Sequence, residues 1–370
     1  MRSTPFDPHE FASRVGTWLS AGGPEGDVVL SCRARLARNV AGYAFGTRLD
    51  ERPARELSAR VRALVEAQPM DGQETVWVDL TRASDLERML LRERHLVSRE
   101  LAPVEERRPS PPGRAVAFAR GETALVMVGE EDHLRLCAIA SGFDLQRAFE
   151  RVRNLDLALE QQLDYAVDER FGYLTACPTN VGTGLRASVM VHLAALGLVR
   201  GELEKVFHAA QRTGLTVRGQ YGEGSRASGD LYQISNQVTL GRTESELVGD
   251  LGALVPDVVA FERRLRALLL AERRRELEDR VHHALGVLCN TGQITTDVAL
   301  GHLSTLRLGV ALGLVSDFTL EELNVLSVQM QRAHVQALSG PEPGTALVDA
   351  PQRDRLRGGM LAQFFARREP

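Results

Sequence analysis

The sequence predicts an α+β protein, in which an antiparallel sheet flanked by helices is followed by an all-helical C-terminal domain. Short strand-like runs stand next to one another over residues 115–140 and 214–240, rather than alternating with helices as in a doubly wound parallel sheet. From about residue 245 onward the strand signal ends, and apolar residues recur only at helical spacing. The 370 residues are 44% hydrophobic and 25% charged, the balance of a folded chain with a sizeable core.

The elements follow in order along the chain. Apolar or alternating runs predict strands at residues 75–80, 115–119, 123–128, 134–140, 188–193, 215–218 and 232–240. Apolar residues at helical spacing predict one amphipathic helix over 145–163, and three more through 258–269, 303–314 and 323–334. We therefore expect a short segment 1–26, a mixed domain 27–245 and a helical domain 246–370.

The charge composition excludes several kinds of site. The formal net charge of -4 provides no global basic field for nucleic acid or anionic lipid. Lys205 is the only lysine among the 45 basic residues, and its surroundings fit no known lysine-dependent motif. A P-loop, a protein-kinase site and a pyridoxal enzyme each need a lysine in a set context, so these classes are excluded. Any phosphate in this chain must be held by arginine.

Nothing in the sequence predicts export or a membrane. The N-terminus has no apolar stretch typical of a secretory signal, and no run approaches the ~20 apolar residues of a membrane span. The four cysteines are scattered, without a Cys-x-x-Cys pair or zinc-ligand spacing. We expect a cytoplasmic protein with no metal held by protein side chains.

Four segments have the same composition, with arginine next to glycine, serine or an acidic residue at the ends of predicted strands. They are residues 31–38, 130–135, 177–186 and 218–224. Arg33 and Arg35 are two apart, so on a strand they point to the same face. Each segment alone fits an ordinary turn or exposed strand charges. Together, in a chain almost without lysine, they indicate a polyphosphate site, because guanidinium groups bind phosphate oxygens in a bidentate manner.

These segments resemble the phosphagen (guanidino) kinases and, within that family, the bacterial protein-arginine kinases. The patterns Ser-x-Arg-x-Arg, Asn-Glu-Glu-Asp-His-x-Arg, Cys-Pro-x-Asn-x-Gly-Thr-x-x-Arg and Arg-Gly-x-x-Gly-Glu occur in order, and the resemblance covers about residues 27 to 360. The single departure in them is Gly129, where the family usually has asparagine. The resemblance implies the phosphagen-kinase catalytic fold for residues 27–245.

The resemblance also implies roles for individual residues. Glu131 and Glu223 match the carboxylates that grip the acceptor guanidinium, and Cys177 matches a cysteine that lies beside it in a supporting role. A guanidinium is a poor nucleophile, so carboxylates that localise its charge and accept a proton would make transfer feasible. The implied cofactors are ATP and Mg²⁺, the Mg²⁺ held through ATP. His133 is expected to shape its turn by hydrogen bonding. The residues implied to hold the nucleotide phosphates and the transferred group are Arg33, Arg35, Arg135, Arg186 and Arg218.

The layout of the chain bears on the acceptor. Animal phosphagen kinases carry a helical domain before the Ser-x-Arg-x-Arg segment, whereas only a stub precedes Ser31 here. The resemblance therefore implies that the acceptor is an arginine side chain of a protein. It further implies a role in a stress response, in which an activator protein takes part and a Clp-type ATPase and protease degrade the marked proteins. We also expect a homodimer formed through the helical domain.

A C-terminal segment adds to the resemblance. Residues 353–358 read Arg-Asp-Arg-Leu-Arg-Gly and resemble the family's Arg-Asp-x-x-Arg-Ala motif, which binds phosphoarginine allosterically, with Gly358 in place of alanine. Arg353 and Arg357 are four apart and would lie on one helix face, with Asp354 available for the guanidinium. An ordinary charged helix is the alternative.

Two other functions stay open. A kinase for free arginine or another small guanidine would use the same residues and differ only in acceptor access. A phosphoarginine-binding adaptor without activity belongs to a different class, and the intact carboxylates and arginines argue against it. A DNA-binding regulator would need a basic recognition element, which the sequence does not contain.

Overall fold

A computed structural model describes residues 6–104, 110–219, 228–340 and 346–366. Within these ranges, eight strands form one sheet in the order β2-β3-β4-β5-β1-β8-β10-β9, with antiparallel pairing between neighbours, and β6 and β7 form a separate hairpin. The strands are β1 (Val29–Arg38), β2 (Thr75–Asp79), β3 (Ala115–Ala119), β4 (Ala124–Val128), β5 (Leu134–Ser141), β6 (Val167–Asp168), β7 (Gly172–Tyr173), β8 (Leu185–His192), β9 (Leu215–Gly219) and β10 (Leu231–Asn236).

Helices cover the sheet and make up most of the C-terminal third. In the described ranges they are α1 (Pro8–Ser13), α2 (Glu51–Ala67), α3 (Asp85–Glu93), α4 (Leu145–Glu160), α5 (Ala194–Leu198), α6 (Arg200–Arg212), α7 (Glu244–Asn290), α8 (Thr296–Ala311), α9 (Leu320–Gln329), α10 (Arg332–Leu338) and α11 (Ala350–Ala366). The predicted α+β fold class is thereby confirmed. No helix in the described part of the chain is long and apolar enough to cross a membrane.

The two faces of the central strands differ in chemistry. In β1, Cys32, Ala34 and Leu36 are at most 1% exposed and point into the main core, whereas Arg33 and Arg35 alternate with them on the other face. Helices α2, α4 and α7 supply apolar residues to that core. On the opposite face, Trp18, Leu19 and residues of the α3 region cover strands β2 to β5. Arg33 and Arg35 therefore lie on the same face of the sheet as this second apolar cluster.

A buried ion pair anchors α4 to β1. The Arg38 side chain is 1% exposed, and its guanidinium donates to both carboxylate oxygens of Asp156, at 3.1 Å from Nε and 2.7 Å from Nη2. Its third nitrogen donates to the carbonyls of Ala37 and Thr183 at 2.9 Å, and the group lies 3.5 Å from the ring centroid of Tyr173. Satisfaction of nearly every donor offsets the desolvation of the charge.

Helix α7 connects the sheet to the C-terminal helices. Its first half contributes Leu247, Leu251 and Val255 to the core that contains the sheet. Backbone angles leave the helical region at Arg273 (φ −133°, ψ 32°), and beyond this point Val281 and Leu288 pack in a cluster with α8, α9 and α11. The helical region after residue 245 thus begins in contact with the sheet.

Several predicted elements differ in extent from the observed ones, and for two of them hydrogen bonds give the reason. The strand predicted over 232–240 ends at Asn236, because the Thr239 hydroxyl instead donates to the carbonyls of Thr179 and Val181 at 3.0 and 2.7 Å. The single helix predicted through 323–334 is divided into α9 and α10 by extended backbone at Gln331. The Glu93 carboxylate accepts from the first backbone N–H groups of α10, which stabilises this separate helix start.

Candidate functional site

The strand registers place the five predicted phosphate-binding arginines on one face of the sheet. Residues directly opposite each other in an antiparallel pair point to the same side. Arg35 lies opposite Arg186 in β8, and Arg135 in β5 lies opposite Ala37, which shares the face of Arg33 and Arg35. On β9, Arg218 lies opposite Gln233 of β10. Gln233 lies opposite Met190 of β8, and Met190 lies opposite Ser31 of β1, which is on the face of Arg33 and Arg35. Residues far apart in sequence therefore form one cationic surface.

Arg35 lies at the centre of this surface. Burial lowers its pKa to about 9, with further lowering from the positive charges of Arg33, Arg135 and Arg186. Its buried Nε has no hydrogen-bond partner among the described residues. A buried guanidinium that is crowded by like charges and has an unsatisfied donor is stabilised by an anion, and a polyphosphate would supply the missing acceptors and charge.

The acidic turn begins with a glycine in the left-handed region. Gly129 has φ +77°, and its N–H donates to the carbonyl of His133 at 3.0 Å. Asparagine is among the non-glycine residues that best tolerate this conformation, so the departure from the family pattern preserves the backbone geometry.

The two glutamates of the turn have different surroundings. The Glu130 side chain is 3% exposed, forms an ion pair with Arg135 and accepts from the Ser98 hydroxyl. The Glu131 side chain is 47% exposed, and its carboxylate lies 3.8 Å from the nearest guanidinium nitrogen of Arg135. Glu130 thus orients Arg135, whereas Glu131 is accessible to an incoming group.

A buried bridge joins the acidic turn to the cysteine segment. One carboxylate oxygen of Asp132 accepts from Asn39 Nδ2 and from the backbone N–H of Ala176, each at 2.7 Å. The side-chain Oδ1 of Asn39 accepts from the backbone N–H of His133 at 2.8 Å. Cys177, next to Ala176, is half-buried, and its Sγ lies 3.0 Å from Thr179 Oγ1. These hydrogen bonds hold the turn that carries Glu131 next to the segment that carries Cys177.

His133 has the structural role expected from the sequence. Its Nδ1 accepts from the Val40 N–H at 3.0 Å, which leaves Nε2 protonated to donate to the Ala44 carbonyl at 2.9 Å. Burial lowers the pKa of its imidazole and so favours the neutral ring.

Glu223, the second predicted carboxylate, lies outside the described residues, as does most of the segment that follows Arg218. Among the residues that the structure describes, no group of three histidine, cysteine or acidic side chains could hold a metal ion.

Sequence reasoning missed Asn39, Glu130 and His95. His95 follows α3 with φ +58°, and its carbonyl accepts from Arg33 at 3.4 Å. Glu130 stood in a recognised acidic run, but nothing local distinguished it from Glu131. Asn39 follows the Ser-x-Arg-x-Arg strand directly, and an uncharged polar residue at the end of a buried strand was the one available signal.

The C-terminal segment lies on α11, away from the arginine surface. Arg357 is fully buried, with its guanidinium donating to the carbonyls of Met330 and Ile294 at 2.7 Å and to Asp354 at 2.6 Å. Arg353 is half-buried and donates to the Val348 carbonyl at 2.7 Å. A Cβ on Gly358 would lie 2.8 Å from backbone atoms of Thr291 and Gly292, so alanine does not fit here without a shift.

Two family models match most of the chain. Residues 56–265 match the ATP:guanido phosphotransferase, C-terminal catalytic domain, and residues 274–369 match the protein-arginine kinase McsB C-terminal domain.

Similar proteins are named protein-arginine kinase. The relative from Halothermothrix orenii is 42% identical over 88% of this chain and 90% of its own length. The relatives from Symbiobacterium thermophilum and Bacillus subtilis are 43% and 39% identical, each over 90% of this chain and over 94% and 90% of their own lengths.

Solved structures of guanidine kinases have a similar fold. The duplicated taurocyamine kinase from Schistosoma mansoni, with bound transition state analog components, is 25% identical with a TM-score of 0.58. The match covers 76% of this chain and 40% of that longer one. Lombricine kinase is 28% identical with a TM-score of 0.56, over 72% of this chain and 73% of its own.

Proposed function

Because this chain belongs to the ATP:guanido phosphotransferase family, we propose that it is a protein-arginine kinase, which transfers the γ-phosphoryl group of ATP to arginine side chains of proteins. The observation that carries this proposal is the cationic surface around Arg35, which adjoins an accessible carboxylate. Relatives named protein-arginine kinase match over nearly their whole length, which favours the protein acceptor.

We assign the chemical roles as follows. The arginine surface binds the ATP phosphates and neutralises charge on the transferred group. The same arginines would hold Mg²⁺ only through the ATP phosphates, and the ion would supply further neutralisation of the phosphate charge. Glu131, with Glu223, holds the acceptor guanidinium and accepts its proton as the N–P bond forms and the bond from phosphorus to the ADP oxygen breaks. Cys177 orients the acceptor. Residues 27–245 form the catalytic domain and 246–370 the helical domain.

The decisive experiment offers two acceptors. The protein is incubated with Mg²⁺ and ATP, with a casein-like protein in one reaction and free arginine in the other. Mass spectrometry under non-acidic conditions then locates the phosphate, because N–P bonds are labile in acid. Phosphate on protein arginines alone is expected. Phosphate on free arginine alone would make the enzyme a small-guanidine kinase, and no product with retained ATP binding would favour an adaptor or a missing activator.

The cellular setting is proposed from the family resemblance. We propose that the protein acts in the cytoplasm during a stress response, that an activator protein stimulates it, and that a Clp ATPase and protease degrade the marked proteins. We further propose a homodimer formed through the helical domain.

The α11 segment is proposed to bind phosphoarginine, with Arg353 as the contributing residue. Arg357 is fixed by carbonyl groups and supports the helix, whereas the Arg353 guanidinium makes a single described hydrogen bond and the residue is half-buried. We expect Arg353→Ala to retain basal transfer but to lose any response to added phosphoarginine, measured as initial rates with and without it. Arg355→Ala, on the exposed side of the same helix, is the matched control. An unchanged response in Arg353→Ala would make the segment an ordinary charged helix.

A further inference from the structure

An exposed apolar surface borders the segment that carries Cys177. Nine large apolar side chains are exposed among the described residues, and four of them lie on two short segments of the chain. They are Val167 and Phe171 on the β6–β7 hairpin, 56% and 44% exposed, and Val238 and Leu240 after β10, 58% and 47% exposed. We call these four residues the rim patch.

Backbone contacts hold both parts of the rim patch against the cysteine segment. Tyr173 and Gly182 exchange two backbone hydrogen bonds of 2.9 and 3.3 Å, which fix the hairpin on one side of residues 179–182. On the other side, the Thr239 hydroxyl donates to the carbonyls of Thr179 and Val181. Thr239 is 4% exposed beside this segment, whereas its neighbours Val238 and Leu240 are exposed to solvent.

Hydrogen bonds within the hairpin fix the backbone at the exposed residue Phe171. The Asp168 carboxylate accepts from the backbone N–H groups of Arg170 and Phe171 at 2.8 and 3.1 Å, which fixes the turn. The guanidinium of Arg170 lies 5.3 Å from the centroid of the Phe171 ring. A rigid apolar surface loses little conformational entropy on binding, so it is suited to hold a ligand.

We propose that the rim patch binds apolar residues that flank the target arginine in an extended segment of the protein substrate. The inference rests on the proposed function, because only a polypeptide acceptor places further residues next to the guanidinium. An extended substrate segment whose arginine lies beside Cys177 can run along residues 177–182, which the rim patch borders. Apolar side chains next to the target arginine then bury against Phe171 and Leu240.

The test compares two peptides of equal length that contain one arginine, flanked by phenylalanine and valine in one and by serine and glycine in the other. The protein is expected to phosphorylate the apolar peptide with a kcat/KM about tenfold higher, mainly through a lower KM, because burial of one or two apolar side chains is worth that much. The double variant Phe171→Ser and Leu240→Ser should bring the ratio close to one. The double variant Leu268→Ser and Val298→Ser changes equally exposed residues on α7 and α8, and it should keep the preference.

The outcomes distinguish failure of the docking role from failure of the proposed protein-arginine kinase activity. Equal rates for the two peptides, or a preference that survives in the rim variant, would overturn the docking role while leaving the kinase activity in place. A rim variant that loses self-association in sedimentation and keeps its peptide preference would assign the patch to a second copy of this chain. If neither peptide nor a casein-like protein is phosphorylated while free arginine is, the proposed function itself fails.

Discussion

Glu130 and Glu131 are neighbours of the same chemical type, yet burial gives them different uses. The ion pair of Glu130 with Arg135 is largely excluded from water, so this carboxylate positions Arg135, an arginine proposed to bind phosphate. Glu131 is about half exposed and makes only a long contact with the same guanidinium. Of the two carboxylates, Glu131 is therefore the one that is accessible to an incoming group.

Replacing Glu131 by glutamine should abolish transfer without unfolding the protein. The amide keeps the shape of the side chain but cannot accept a proton, so we expect kcat to fall by about a hundredfold or more, while nucleotide affinity stays within a few-fold of wild type. Initial rates and a thermal unfolding curve measure the two effects. Glu56→Gln, which alters an exposed ion pair on α2, serves as the control. Near-normal kcat in Glu131→Gln would remove this residue from the reaction.

His95 should make the stability of the protein depend on pH. Burial, together with the charges of Arg33, Arg35 and Arg94, lowers the pKa of its imidazole from 6.5 to about 3. Between these values the unfolded chain binds a proton at this position and the folded chain does not. The contribution is therefore fully present above pH 6.5 and is lost progressively as the pH falls toward 3.

The variant His95→Asn isolates this effect, because asparagine tolerates the positive φ at this position. Urea unfolding at several pH values between about 7 and about 5 should give a flatter dependence than wild type, by up to about 1.4 kcal/mol per pH unit. Identical slopes for the two proteins would show that His95 does not titrate differently on folding.

Among the elements, α4 and β1 are joined by the most completely bonded ion pair of the described chain, Arg38 with Asp156. Asp156→Asn keeps the volume of the side chain but leaves a buried guanidinium without its counter-charge. We expect a loss of about 3 kcal/mol in the free energy of unfolding, measured by urea denaturation. The exposed Glu56→Gln should cost less than about 1 kcal/mol. A similarly small loss for Asp156→Asn would mean that water or another acceptor replaces the carboxylate.

Most strands of the main sheet were predictable from the sequence, whereas helices such as α2, α3 and α6 and the contacts between elements were not. Apolar alternation is a local property, so it located the strand at 115–119 and the shared face of Arg33 and Arg35. Asn39 and Asp132 meet across 93 positions of sequence, and no local pattern encodes that pairing. The same limit applies to Arg357, whose burial depends on carbonyls of Met330 and Ile294. The strand predicted to residue 240 failed because Thr239 bonds to a distant loop.

In the molecule as a whole, a buried polar network joins the C-terminal helices to the sheet and to the N-terminal segment. Arg307 of α8 donates to the carbonyls of Gly26 and Asp27 at 3.0 Å, to Asn324 Oδ1 at 3.1 Å and to His192 Nδ1 at 2.8 Å. Since Nδ1 of His192 accepts, its Nε2 donates to Ser304, whose hydroxyl donates to Asp230 at 2.7 Å. Burial and the charge of Arg307 hold the pKa of His192 well below 6.5, in keeping with a neutral ring.

This network, with the core shared by α7 and the sheet, predicts one cooperative unfolding transition. Tryptophan fluorescence reports on Trp18 and Trp77 near the sheet, and far-ultraviolet circular dichroism reports largely on the helices. The two signals should change together in urea. Arg307→Met should lower the free energy of unfolding by about 3 kcal/mol, because buried carbonyls and His192 lose their donor. Both signals should then have their midpoint at a lower urea concentration. Two separate transitions in the wild-type protein would contradict this.

The alternation in β1 has a consequence for folding. Arg33 and Arg35 share one face while Cys32, Ala34 and Leu36 share the other, so a slip of one residue in pairing would exchange the two sets. Two guanidinium groups would then enter the apolar core, and three apolar side chains would take their place on the arginine face. Misaligned strands are thus heavily penalised before any nucleotide is present. The arginines proposed to bind the substrate thus also select the correct pairing register of β1 during folding.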